Sequence, residues 1–261
     1  MAALELNAPA TGVVVLGASN VSRGLSRLAA IACARAGTPL DLFVAAGHGR
    51  SYGANSRVAL RRLPSILASG LWRALDREAA APAAALVTDI GNDLLYGFAV
   101  AQVAVWVRES VRRLAAHGAR IAITRLPLAS IGRVGPVRYR ALRAFYVPGC
   151  RLSLADLVTA AGDLDAAVVE IARDHGATLI EQPGAWYGLD AIHVRRRRLA
   201  ELWHAAGDAW ELPAARSPGR ATVADWMLLG TRAAEVRSLA RVPRFTPQPC
   251  VCRRDLRLWL Y

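Results

Sequence analysis

Val13-Val14-Val15-Leu16-Gly17-Ala18-Ser19-Asn20-Val21-Ser22-Arg23-Gly24 joins four apolar residues to a turn of small residues and then to a helical pattern. The apolar run is mostly β-branched, which is typical of a buried strand. Beyond the turn, Leu25, Leu28 and Ile31 recur at the spacing of an amphipathic helix. The pattern predicts that a strand delivers Ser19 to a helix N-terminus at the carboxyl edge of a sheet, where open α/β sheets bind their ligands. The alternative is that Ser19 or Asn20 only caps the helix.

The composition argues against several classes of site. Neither G-x-G-x-x-G nor G-x-x-x-x-G-K-[ST] is present, and the sequence contains no lysine. The formal charge of +13 therefore comes from arginine. No recognised basic motif accompanies this charge, so no specific nucleic-acid partner is expected. The four cysteines lack the spacing of a disulfide framework or a metal site, so we expect reduced thiols and no bound metal.

The length and hydropathy of the chain limit the number of domains and the fold classes that it can form. A chain of 261 residues that is 54% hydrophobic suits one large α/β domain, alone or with an appendage. No apolar run is long enough to span a membrane, and residues 1–11 lack the features of a secretory signal. We therefore expect a cytoplasmic protein without a membrane span. The sequence leaves the oligomeric state open.

Four further apolar runs predict buried strands, at residues 42–46, 84–88, 120–124 and 177–181. Helical spacing predicts helices between them, at residues 56–78, 99–117, 137–146 and 155–175. A last helix is predicted from residue 194, with arginines 195–198 in its first turns. Because strands alternate with helices, we expect one parallel sheet with right-handed crossovers.

The last fifty residues differ in character from the rest. Residues 213–219 are typical of a linker, and residues 244–261 contain proline and alternating apolar residues but no clear element. We therefore predict a catalytic domain over residues 1–210 and a C-terminal extension of uncertain structure over residues 211–261.

His193 and Asp190 are the candidate base and orienting carboxylate, respectively. They lie three residues apart just beyond the fifth predicted strand, so both side chains can face the same way. A serine nucleophile needs such a pair, in which the histidine takes the proton and the carboxylate orients the imidazole. The alternative is that Asp190 only caps a following helix.

Two further loops hold candidate donors for an oxyanion. Asn92 follows the third predicted strand and has a side-chain amide that can donate a hydrogen bond. Gly47 and Gly49 follow the second strand, and either can present a backbone N–H with no side chain in the way. Turn formation is the alternative for all three residues.

The order of these blocks resembles the SGNH hydrolases, the GDSL-type esterase and lipase superfamily. A small-residue serine block follows strand one, a glycine loop strand two, Gly91-Asn92-Asp93 strand three, and Asp190-x-x-His193 strand five. The resemblance covers residues 12–200. It implies a three-layer α/β/α sandwich with a five-stranded parallel sheet in a flavodoxin-like arrangement. It further implies that Ser19 is the nucleophile, with His193 as base and Asp190 as its orienting carboxylate.

The resemblance also implies an oxyanion hole, formed by the backbone N–H groups of Ser19 and Gly49 and the side chain of Asn92. Gly49 is preferred to Gly47 because it occupies the later turn position. The sequence departs from the family pattern at three places. Ala18 replaces an aspartate that helps to join the blocks, Ile90 replaces a glycine, and Val194 stands where proline is common. None of these changes removes a reacting group.

The expected activity is hydrolysis of carboxylic esters without a cofactor. The substrate is expected to be a small-molecule or carbohydrate ester with a short acyl or O-acetyl group, because no long apolar lid segment is evident. Two alternatives remain open. An acyltransferase would use the same Ser19, His193 and Asp190, and a non-catalytic binding protein of the same fold would use none of them.

Overall fold

A central parallel sheet forms the core of the molecule, and the computed structural model describes residues 10–77, 82–212 and 219–261. The strands are β1 (Thr11–Leu16), β2 (Leu40–Ala45), β3 (Ser56–Val58), β4 (Arg61–Leu63), β5 (Pro82–Val87), β6 (Arg120–Thr124), β7 (Thr178–Ile180), β8 (Val236–Leu239), β9 (Val242–Phe245), β10 (Val251–Cys252) and β11 (Leu256–Leu260). The helices are α1 (Ser19–Ala36), α2 (Leu71–Arg77), α3 (Asn92–Leu95), α4 (Val100–Ala116), α5 (Leu128–Ile131), α6 (Pro136–Tyr146), α7 (Leu154–Asp174), α8 (Leu199–Ala209) and α9 (Val223–Gly230). None of these helices is both long and apolar enough to cross a bilayer.

The five strands predicted from the sequence are present and parallel, in the order β2-β1-β5-β6-β7. This is the flavodoxin-like order, in which the chain runs outward from β1 first to one side and then to the other. Side chains of β1 alternate between two cores. Val13 and Val15 pack beneath α1 and α8, whereas Val14 and Leu16 pack beneath α4 and α7. The predicted three-layer α/β/α sandwich is therefore confirmed.

The sheet has seven strands rather than the five expected, because the C-terminal segment adds two. β11 pairs in parallel with β2, and β10 pairs with β11 in antiparallel fashion. Trp259 stacks on Phe43 with ring centroids 4.4 Å apart, and Arg257 donates to the Asp41 carboxylate. The prediction that residues 244–261 contain no clear element is therefore wrong. The division of the chain at residue 210 stays a prediction, and the predicted linker at 213–219 lies, apart from Gly219, outside the described residues.

Two strands of a second, four-stranded sheet occupy residues 56–63, the first part of the helix predicted at residues 56–78. Its order is β3-β4-β8-β9, with every pair antiparallel. Ala59 adopts a positive φ of 52° in the turn between β3 and β4, and helix α2 begins only at Leu71. The predicted helices at 99–117, 137–146 and 155–175 are confirmed as α4, α6 and α7. The small sheet places β3 beside the loop that follows β2.

Candidate active site

Ser19 is the first residue of α1 and follows the buried strand β1 by two residues. Ala18 occupies the N-cap position and makes no side-chain capping bond, so Ser19 is not the cap. The Ser19 hydroxyl makes no hydrogen bond to any residue that the structure describes, although the side chain is largely buried. A serine hydroxyl without a structural partner, at a helix N-terminus on the edge of the sheet, is free to contact a ligand.

Asp89 holds the turn that carries Ser19. Its carboxylate accepts hydrogen bonds from the backbone N–H of Ala18 at 2.8 Å and of Asn20 at 3.1 Å, and from the Asn20 side chain at 2.7 Å. Asp89 itself adopts a positive φ of 58°, which turns the chain immediately after β5. The carboxylate that the Gly17-Ala18-Ser19 block lacks is thus supplied from the neighbouring loop.

Asn20 connects this turn to the segment that carries His193. Its side-chain amide donates to the carbonyl of Ile192 at 3.2 Å, and its carbonyl oxygen accepts from the backbone N–H of Val194 at 3.0 Å. Sequence reasoning missed this role of Asn20 and the role of Asp89. The available signal was their position, because Asn20 directly follows Ser19 and Asp89 directly follows the third predicted strand.

His193 and Asp190 form the pair expected from their spacing. His193 Nδ1 contacts Asp190 Oδ2, and Asp190 Oδ1 accepts from the backbone N–H of Ile192 at 3.0 Å and of His193 at 3.3 Å. Burial acts to raise the pKa of Asp190, but the hydrogen bond and charge of His193 outweigh it and hold that pKa below its ordinary value. Asp190 therefore stays ionised at neutral pH. The Tyr146 ring lies 5.3 Å from the imidazole and tilted by 55°.

The arginines 195–198 do not begin a helix as predicted. Val194 forms an isolated antiparallel bridge with Tyr187, and α8 starts only at Leu199. Arg198 closes a turn by donating its backbone N–H to the carbonyl of Arg195 at 2.7 Å. The arginines thus lie in the loop that leads away from His193.

The glycine loop after β2 approaches its neighbours closely. Gly49 has a φ of +68°, and a Cβ there would lie 2.6 Å from Val58 Cγ2 and 3.0 Å from the Tyr96 hydroxyl. Gly47 is also crowded, since a Cβ there would contact Leu63. Gly49 lines the cleft described below, whereas Gly47 is not among its lining residues. The positive φ favours glycine at position 49, and Gly49 is the one of the two that faces the cleft.

Asn92 is the first residue of α3, and Asp93 anchors that helix to the glycine loop. Asp93 Oδ2 accepts from the backbone N–H of Tyr52 at 2.9 Å. Burial raises the pKa of Asp93 to about 6, against the lowering effect of its hydrogen bonds from Ser51 and Tyr52. The Asn92 side chain, in contrast, makes no hydrogen bond within the described part of the chain. It lines the cleft with its amide unoccupied.

One cleft of about 1000 Å³ brings the predicted residues together. Its lining includes Ser19, Gly49, Asn92, Asp190 and His193. These residues come from four separate blocks of sequence, at the carboxyl ends of β1, β2, β5 and β7. Among the described residues, no three His, Cys, Asp or Glu side chains are grouped so that they could hold a metal ion.

A smaller, mainly apolar cavity of about 90 Å³ adjoins the cleft. The two share a wall formed by Asn92, Leu95, Tyr146, Val147, Asp190 and Ile192. Most of the remaining lining consists of aliphatic side chains from α3, α5, α6 and α7, among them Leu94, Ile131, Leu142 and Leu157. The cavity is therefore suited to an apolar group that enters from the side of Asn92.

Comparison with solved structures finds distant structural similarity. A crystal structure that is 14% identical in sequence superposes with a TM-score of 0.54, over 77% of this chain and 96% of that chain. AlinE4, an SGNH-hydrolase family esterase, is also similar, with 17% identity and a TM-score of 0.41 over 80% of this chain and 100% of that chain. At 14% identity, the likeness to the first of these structures is one of fold alone.

Two other similar structures are esterase EstA and TesA. The psychrotrophic esterase EstA from Pseudoalteromonas sp. is 16% identical, with a TM-score of 0.47 over 77% of this chain and 97% of that chain. TesA is 16% identical, with a TM-score of 0.48 over 76% of this chain and 97% of that chain. No protein-family model matches the sequence, and no curated protein matches it.

Proposed function

We propose that the protein is a serine hydrolase of carboxylic esters that uses Ser19, His193 and Asp190. One observation carries this proposal: a serine hydroxyl without a structural partner lines the same cleft as a partly buried histidine–aspartate pair and two candidate oxyanion donors. A hydroxyl is a weak nucleophile unless a base removes its proton, and the base needs a third group to orient it. The cleft offers all three groups.

The chemistry follows from these positions. Ser19 Oγ attacks the acyl carbon while His193 Nε2 takes the hydroxyl proton, and Asp190 stabilises the imidazolium that forms. The tetrahedral oxyanion accepts hydrogen bonds from the backbone N–H of Ser19 and Gly49 and from the Asn92 amide, each contributing about 3 kcal/mol. His193 then gives its proton to the leaving alcohol. Water, activated by the same imidazole, releases the carboxylic acid from Ser19.

A fluorophosphonate probe tests the activated serine directly. We expect one adduct on the wild-type protein by intact mass, and none on Ser19→Ala, because only an activated serine attacks phosphorus rapidly. Ser22→Ala is the matched control. Ser22 lies one turn further along α1, and its hydroxyl is occupied by the Ala18 carbonyl at 3.1 Å. Its replacement should leave the adduct in place.

The absence of an adduct on folded wild-type protein would contradict the proposal and favour a binding protein of the same fold. Product analysis separates the remaining alternative. An acyltransferase would pass the acyl group from an ester to an added alcohol or sugar in place of water, so the acylated acceptor would be the main product. A hydrolase releases the free acid in the presence of the same acceptor.

The small cavity supports a preference for short acyl groups. An apolar cavity of about 150 Å³ holds one benzene molecule, so a cavity of about 90 Å³ accommodates only a chain of a few carbon atoms. Forcing a longer chain into a packed space costs about 1–3 kcal/mol. With p-nitrophenyl esters, we expect kcat/KM to fall by about 5- to 150-fold between butyrate and octanoate.

Ile131→Ala tests whether this cavity sets the preference. Ile131 is buried and lines the cavity, so its truncation should raise the octanoate-to-butyrate ratio of kcat/KM. Val137→Ala is the control, because Val137 is 72% exposed and lies outside the lining. A wild-type preference for octanoate, or a ratio that Ile131→Ala does not change, would mean that the acyl chain does not bind in this cavity.

A further inference from the structure

Three arginines line the cleft without a carboxylate partner. Arg23 lies one helical turn beyond Ser19, Arg57 lies in β3, and Arg196 follows His193 by three residues. Within residues 10–77, 82–212 and 219–261, none of the three forms an ion pair. The carboxylate in the cleft lining is Asp190, which is occupied by His193. The cleft therefore has an excess of positive charge that the described residues leave unbalanced.

The charge of Arg23 acts on both walls of the cleft. On one wall, burial lowers the pKa of His48, and the charges of Arg61, His193 and Arg23 lower it further. On the other wall, burial and Asp190 raise the pKa of Tyr146, while Arg23 opposes that rise. Arg23 is partly buried on α1, on the same side of the helix as Ser19. It therefore lines the cleft one helical turn from the reacting serine.

Of the two arginines that line the adjoining apolar cavity, one has carboxylate partners. Arg125 donates to the carboxylates of Asp165 and Glu181, and Arg143 donates to the Leu152 carbonyl at 3.1 Å. Arg125 is therefore neutralised within the fold. In the cleft, and among the residues that the structure describes, Arg57 donates only to the Ala59 carbonyl at 3.1 Å and Arg23 only to Asn20 Oδ1 at 3.5 Å, and neither neutral acceptor balances their charge. The apolar cavity lies on the other side of Asn92 and Asp190.

We infer that the ester hydrolysed by this protein has an anionic alcohol portion, a carboxylate, phosphate or sulfate, which binds in the cleft to Arg23 with Arg57 and Arg196 nearby. This inference rests on the proposed esterase function. A guanidinium group binds such planar or tetrahedral anions through paired charge-assisted hydrogen bonds. The acyl group enters the apolar cavity, so the charged end of the substrate points toward the arginines.

A matched pair of acetate esters tests the inference, with 4-acetoxybenzoate as the anionic probe and 4-acetoxybenzamide as the neutral one. The measured quantity is the ratio of their kcat/KM values. Comparing this ratio between variants cancels the difference in intrinsic reactivity of the two esters. We expect Arg23→Gln to lower the ratio by about tenfold or more, since a hydrogen bond to a charged group is lost. Arg23→Lys should retain part of the wild-type preference for the anionic ester.

Arg73→Gln is the control, because Arg73 is an exposed arginine of α2 outside the cleft lining. It removes the same charge and should leave the ratio within about twofold of wild type. Raising the ionic strength to about 1 M, where the screening length is about 3 Å, should lower the wild-type ratio. A fall of both kcat/KM values by the same factor in Arg23→Gln, or no effect of that variant, would overturn the inference.

Calorimetric binding distinguishes failure of the inference from failure of the proposed function. We expect Ser19→Ala protein to bind 4-acetoxybenzoate more tightly than 4-acetoxybenzamide, and to lose that preference when Arg23→Gln is added. Hydrolysis of neither ester by wild type, with this binding preference intact, would overturn the esterase proposal and support the anion site. Hydrolysis of both esters without the binding preference would overturn the anion site and support the esterase proposal.

Discussion

Replacing Asp190 with asparagine is expected to lower kcat for ester hydrolysis about 10⁴-fold, the effect of the same change in another serine hydrolase with this type of triad. The reason lies in how Asp190 is held. Its Oδ1 accepts two backbone N–H groups, from Ile192 and His193, so an asparagine must place its oxygen there. The amide nitrogen is then directed at His193 Nδ1.

This fixed orientation would invert the tautomer of the imidazole. With an N–H donor opposite it, His193 Nδ1 becomes an acceptor, and the ring proton moves to Nε2. An imidazole protonated at Nε2 cannot take the proton of Ser19. Binding of a product acid does not need that proton transfer, so we expect kcat to fall far more than affinity.

Steady-state kinetics with a short-chain ester, paired with urea unfolding, measures this expectation. Asp163→Asn is the control. Asp163 is an exposed carboxylate of α7, so the substitution removes the same charge from the surface. It should retain wild-type kcat. Activity of Asp190→Asn within about tenfold of wild type, in a protein of unchanged stability, would show that the pair is structural and would contradict the proposed mechanism.

The central sheet was predictable because its strands are buried on both faces. Such strands appear in the sequence as continuous apolar runs, as in Val13–Leu16, and the chemistry-bearing residues follow these runs directly. The parallel sheet then collects them at one edge whatever their separation in sequence. Local pattern was therefore enough to predict that Ser19, Asn92 and His193 share one cleft.

The small sheet was not predictable, because its pairing joins distant segments through short, exposed strands. β4 pairs with β8, so that Arg62 lies opposite Ser238. Nothing local to residues 56–63 distinguishes such a hairpin from a polar helix, and the turn at Ala59 needs a left-handed conformation that alanine rarely adopts. The strand β11 was not predicted for a related reason, since its side chains become buried only when it pairs with β2.

Asn20→Ala is the second large effect expected, and it acts first on stability. Asn20 is 3% exposed, and its side chain satisfies the Asp89 carboxylate, the Ile192 carbonyl and the Val194 N–H. Each buried partner left unsatisfied costs about 1–3 kcal/mol. Because the partners can relax together, we expect a total loss of about 3 kcal/mol in the free energy of unfolding.

The same change should also lower activity. The Asn20 side chain holds the turn of Ser19 against the segment that carries His193, so its loss releases both reacting groups from one another. A displacement of about 1 Å between reacting groups costs about 100-fold in rate. We therefore expect kcat for a short-chain ester to fall by about that factor under conditions in which the variant remains folded.

Asn20→Asp separates the hydrogen bonds from the volume of the side chain. An aspartate can still accept from Val194, but it places a second carboxylate against Asp89, which raises the pKa of one of the two in the folded state. A folded-state pKa above the unfolded value means that stability is greater at low pH and falls as the pH rises through that pKa. Urea unfolding should therefore show Asn20→Asp much less stable than wild type at pH 7 and closer to it near pH 4.

Ser22→Ala, which removes only a hydroxyl bonded within α1, should stay within about 1 kcal/mol of wild type. Equal stability of Asn20→Ala and Ser22→Ala would mean that the turn of Ser19 is held by the backbone bonds to Asp89 alone.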